Sequence, residues 1–158
     1  MVITQIFNQQ DLGFMHRKHG AQEKQVEVKN HDVRPDFIKH ALSQTVRNFG
    51  ERMVTDHTKV NDELKKLAEK KKATLPTRLS KADSADMSYL EKLSSKDFDR
   101  AYAEDMVKDH EKDLKAFQTA AKDVSDPDLK AFVKKTIPTL EAHLRMAKDM
   151  QSAVKSEK

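Results

Sequence analysis

The sequence predicts an all-α protein built as a bundle of long helices. Three observations carry that expectation. Only three Gly and four Pro interrupt 158 residues, so turns are few and regular elements long. Helix-forming Ala, Leu, Lys, Glu and Met dominate, and Trp is absent. Apolar residues recur at steps of three, four and seven, the spacing of one helix face.

Residues 1–35 have weak periodicity and read as a loop or poorly defined helix, separate from a bundle over 36–155. Pro35 suits a first helical position, and "DFIKHALSQ" after it reads as a short helix. The first clear helix spans about 45–72, with Phe49, Met53, Val60, Leu64 and Leu67 as its stripe. Pro76 ends that pattern. Ser80 can cap a shorter helix over 81–95 that turns Met87, Leu90 and Leu93 inward. Residues 96–124 form another long helix, lined by Phe98, Tyr102, Met106, Leu114 and Phe117. "SDPDLK" is a helix start, with Ser125 or Asp126 as cap and Pro127 opening the first turn. The last helix covers 128–155, and Pro138 inside it predicts a kink.

Composition narrows the chemistry. Without Cys there is no disulfide and no thiolate metal or redox site. No Gly-x-Ser-x-Gly and no glycine-rich phosphate loop occur, so nucleophilic catalysis and phosphate cradling have no motif. No small-molecule substrate is identifiable. The net charge of +4 is spread among acidic residues, and the densest basic stretch is "EKKKATLPTRLSK" at 69–81. A solvated helix end explains it, with nucleic-acid contact as the alternative. No apolar run could span a bilayer. The first twenty residues lack a basic start followed by a long apolar core and do not read as a signal peptide.

The pattern that carries most information is a repeat. "MVTDHTK" at 53–59 and "MVKDHEK" at 106–112 share five of seven positions. Each places a histidine on an apolar stripe: His57 follows Met53 by four residues, and His110 follows Met106 by four. His143 behaves alike, with Leu140 three before and Met146 three after. Three long helices thus each direct one imidazole inward. Carboxylates lie nearby in sequence at Glu51, Asp56, Glu104, Asp109 and Glu141. Three readings stand open. Each ring could be a core histidine bonded to a carboxylate, a Tyr or a carbonyl, with Tyr102, Asp56 and Asp109 as suppliers. Alternatively His57, His110 and His143, with Asp56, Asp109 and Glu141, hold iron, manganese or zinc. The third reading is a pH-responsive cluster. The Glu-x-x-His pair of di-iron bundles is absent, and an Asp-His dipeptide is a poor chelate because neighbours on a helix diverge. Any ligands must be pooled from different helices.

"VRNFGERMVTDHTKVNDELKKLAEKKKATLP", "FDRAYAEDMVKDHEKDLKAFQTAAK" and "DPDLKAFVKKTIPTLEAHLRMAK" resemble a bacterial family known as domain of unknown function 4142. The likeness covers roughly 36–150. It implies a ferritin-like four-helix bundle, in which a pseudo-twofold relation between helix pairs explains the doubled heptapeptide. Members are often labelled outer membrane or exported proteins, so the resemblance implies a periplasmic or envelope setting. It implies no reaction. The expected function is a non-enzymatic envelope bundle, linked to stress or colonisation, with a metal-binding protein and a DNA-protecting protein as alternatives. Members usually begin with a signal peptide and a long first helix. Here that region reads "HGAQEKQVEVKNHDVRPDFIKHALSQ". A shortened first helix would expose its neighbours and favour a homo-oligomer or a partner helix, and association with a membrane surface, without spanning it, stays open.

Overall fold

The computed structural model describes residues 38–75 and 81–156. It contains four helices: α1 Gln44–Lys71, α2 Lys81–Leu90, α3 Ser95–Asp123 and α4 Pro127–Ser156. No strand occurs among the described residues, and the fold is the all-α bundle that the sequence predicts. The expected roles of residues 1–35, of a first long helix there and of Ser80 lie outside the described residues.

Long helices form where the stripe is continuous, and their ends follow local chemistry. Ser43 caps α1 by accepting from Thr45 N–H at 3.3 Å. At the other end Lys72 is left-handed (φ 53°), and its N–H reaches the Ala68 and Glu69 carbonyls. Asp126 Oδ1 accepts from Leu129 N–H at 3.0 Å, so Asp126 caps α4 and Pro127 is its first residue. The helix continues through Pro138 without interruption.

Two expectations need correction. The short helix over 36–44 does not form across 41–43. There the backbone is bound to α3 instead: Asp99 accepts from Leu42 N–H at 3.1 Å and Ser43 N–H at 2.8 Å, and Ser95 N–H donates to the His40 carbonyl at 3.0 Å. These long-range bonds outcompete a local helical turn. Likewise α2 ends at Leu90, not 95, and Leu93 and Ser94 cross to α3.

The contacts also set direction. Asp99 and Ser95 hold the starts of α1 and α3 side by side. The end of α1 meets the start of α4, where Lys71 Nζ bonds Asp126 at 2.6 Å and Asp128 at 2.8 Å, and Lys70 bonds Asp128 at 2.9 Å. Therefore α1 and α3 run the same way and α4 runs against them. The ammonium groups of Lys71 and Lys70 hold the Asp128 carboxyl below its ordinary 3.8, at about 2. A depressed carboxylate contributes stability above its unfolded pKa and loses it as pH falls through the folded value. Lys71→Met should therefore be less stable than the parent at neutral pH, with the difference closing between about pH 4 and pH 2. Denaturant midpoints measured across that range check it.

The core lies in two blocks. Phe49, Met53, Phe98, Tyr102, Met106, Ala147 and Met150 form one, near the starts of α1 and α3. Leu64, Phe117, Phe132, Val133 and Leu140 form the other. On all three long helices a histidine separates the blocks: His57 between Met53 and Leu64, His110 between Met106 and Phe117, His143 between Leu140 and Ala147.

Candidate metal centre

The three histidines share one level of the bundle because α1 and α3 are parallel and the two rings fall at matching depths along them. His57 and His143 are 2 % exposed and His110 is fully buried. The rings of His57 and His143 stack with centroids 5.2 Å apart. His110 meets both edge-on, at 5.8 Å from His57 and 5.6 Å from His143. One nitrogen from each ring lies within 4.8 Å of the other two. Ligand nitrogens on a tetrahedral zinc stand roughly 3.3 Å apart, from the usual Zn–N length. The three rings would have to draw closer to share one ion.

The hydrogen bonds fix which nitrogens are available. His110 Nδ1 lies 2.8 Å from the Met106 carbonyl. A carbonyl only accepts, so Nδ1 carries the hydrogen and Nε2 presents a lone pair in the neutral ring. His143 Nε2 lies 3.0 Å from Asp56 Oδ2. By the same logic His143 Nδ1 presents the lone pair. Both of these nitrogens, His110 Nε2 and His143 Nδ1, are buried and have no hydrogen-bond partner. Burial pushes the His143 pKa down, and this outweighs the pull of Asp56 towards the charged form. The ring is held neutral, as a ligand must be.

Asp56 is not a member of the triad. It stands behind His143, and Arg52 Nε donates to the same Oδ2. Burial would raise the Asp56 pKa, but the hydrogen bonds from His143 and Arg52 together bring it below the ordinary carboxylate value. The result is an anchored chain, Arg52 to Asp56 to His143, of the kind that orients a metal-binding imidazole from behind. The two other carboxylates singled out in the sequence do not join the three imidazoles. Asp109 is one position from His110, about 100° round the helix, and Glu141 is two positions from His143; both are half-buried. Tyr102, another residue expected near the histidines, stacks on Phe98 with ring centroids 5.4 Å apart.

Sequence reasoning missed four groups. Arg52 fixes Asp56. Asn61, four residues beyond His57, and Asp113, three beyond His110, put further polar side chains on the stripes, and both are buried. Asp99 ties α1 to α3. The signal existed, since Asp99 and Asp113 both interrupt an apolar stripe at helical spacing.

The fold and centre define an all-α bundle with three histidines closed inside its core. The chain belongs to the domain of unknown function family DUF4142, whose pattern matches residues 38–150. No curated protein and no solved structure matches it. Among the described residues no helix is long and apolar enough to cross a membrane.

Proposed function

We propose that this protein binds one zinc-type transition-metal ion through His57, His110 and His143. The observation that carries the reading is the pair of buried lone pairs, His110 Nε2 and His143 Nδ1, in rings whose other nitrogen is already anchored. A buried acceptor without a donor costs about 1–3 kcal/mol, so two of them at one point are better explained by a cation than by packing. The donor set selects among iron, manganese and zinc. Bundle sites for iron and manganese rely on carboxylates, and among the described residues none joins this triad. Three neutral imidazoles suit zinc and leave a fourth position.

A DNA-protecting role has less support. Lys70 and Lys71, at the head of the basic stretch, are paired with Asp126 and Asp128. We extend to this chain the envelope setting that the resemblance implies; fractionation of cells producing the untagged native protein tests that part.

Metal analysis of protein purified without an affinity tag, before and after incubation with zinc, tests the main reading. The expected result is close to one zinc per chain after dialysis, lost in His110→Leu. Sub-stoichiometric metal that is indifferent to His110→Leu would overturn it.

A further inference from the structure

A groove of about 390 Å³ runs along the surface between α1 and α4. Two bonds cross it and hold its ends. At one end His143 on α4 bonds Asp56 on α1 at 3.0 Å, and at the other Lys135 on α4 bonds Glu63 on α1 at 2.7 Å. Asp56 and Glu63 are seven residues apart, so about two helical turns lie between the clamps. That stretch is lined by Lys59 and Val60 from α1 and by Thr139 and Ala142 from α4. Val60, Thr139 and Ala142 are half-buried, while Lys59 is exposed. Arg52 and Met146 extend the wall beyond Asp56. Both carboxylates of the groove are occupied. Asp56 is bonded by Arg52 and His143, and Lys135 Nζ takes both Glu63 oxygens, at 2.7 and 2.8 Å. Lys59 makes no ion pair among the described residues, and Arg52 spends only Nε, leaving its Nη groups open. Three cations thus face two occupied carboxylates, and one positive charge stands over a floor of Val60, Ala142 and Met146.

We propose that this groove binds a small organic monoanion, a carboxylate carried on a short apolar chain. The site is separate from the metal centre and needs no metal ion. Arg52 and Lys59 stand four residues before Asp56 and three after it, so both lie one turn from it on the same face of α1. Their long side chains offer open N–H groups to one anionic head, and such charge-assisted bonds are the strong ones. A single excess positive charge matches a carboxylate better than a phosphate dianion, and it repels cations. The half-buried floor of Val60 and Ala142 then gains from being covered by methylene groups. The two cross-helix bonds hold the walls apart before anything binds, so little ordering opposes binding. The volume lies within the range of about 300–1,000 Å³ common to small-molecule sites.

Titration calorimetry of the full chain with sodium octanoate at low salt tests the site. One octanoate per chain should bind saturably. Lys59→Met should weaken it by about tenfold or more, the loss of one charge-assisted bond, and Lys59→Arg should hold it within about threefold. Lys59 is exposed, so both variants fold as the parent does. Thr139→Phe, which fills the groove from its half-buried wall, should abolish binding. Acetate, which lacks the chain, and octylammonium, which carries the opposite charge, should give no saturable heat. Octanoate binding that is absent, unchanged by Lys59→Met or matched by octylammonium would overturn the site. Inorganic phosphate that binds more tightly than octanoate, with the same dependence on Lys59, would overturn the carboxylate assignment.

Discussion

Saturating zinc should raise the thermal midpoint by about 10 °C or more, and His110→Leu should abolish that rise. A ligand that binds only the folded state stabilises by about 4 kcal/mol at a free concentration a thousandfold above its dissociation constant. For a domain of this size each kcal/mol moves the midpoint by about 2–4 °C or more. The sharper part of the prediction concerns the metal-free protein. His110→Leu removes a buried lone pair with no partner and replaces it with an apolar side chain of similar size. The lost hydrogen bond runs to the Met106 carbonyl, four residues back in the same helix. Metal-free His110→Leu should therefore be at least as stable as the parent, by about 1 kcal/mol. A histidine kept for packing would give the opposite sign, a loss of about 1–3 kcal/mol with no response to zinc. Calorimetry of both proteins, with chelator and with zinc, decides between them.

The second large effect belongs to Asp99. Its carboxylate is 2 % exposed and accepts from two backbone N–H groups at the head of α1. Asp99→Ala should cost about 3–5 kcal/mol, because it deletes two charge-assisted hydrogen bonds and leaves buried donors unsatisfied. Asp99→Asn keeps one acceptor and should recover part of the loss. Denaturant unfolding measures both. A cost below about 1 kcal/mol for Asp99→Ala would show that the 41–43 segment is held by something other than these bonds. The effect should reach the metal centre too, since this anchor sets α1 and α3 in the register that levels His57 with His110.

Helix positions were legible because helix formation is decided locally. The stripes of Phe49, Met53 and Leu64, and of Phe98, Met106 and Phe117, declare their helices from spacing alone, and Asp126-Pro127 declares a start. The inward placement of His57, His110 and His143 was legible for the same reason, each being on its helix's apolar face. The role of the carboxylates was not. Asp56 looked like a ligand because it precedes His57, yet its partner is His143, 87 residues away. Asp109 and Glu141 stand one and two residues from their histidines, a separation at which helix side chains diverge, so sequence proximity alone does not say what they touch.

The amino-acid sequence by itself determined three long helices, their buried faces and one imidazole on each. Only the tertiary structure decided that the three rings meet, which nitrogens they present and which acid stands behind them. The physical reason is the range of the interactions. Helical periodicity and capping act within a turn or two of the chain. The axial register of α1, α3 and α4 is set by contacts between distant residues, Asp99 with Ser43 at one end and Lys71 with Asp126 at the other.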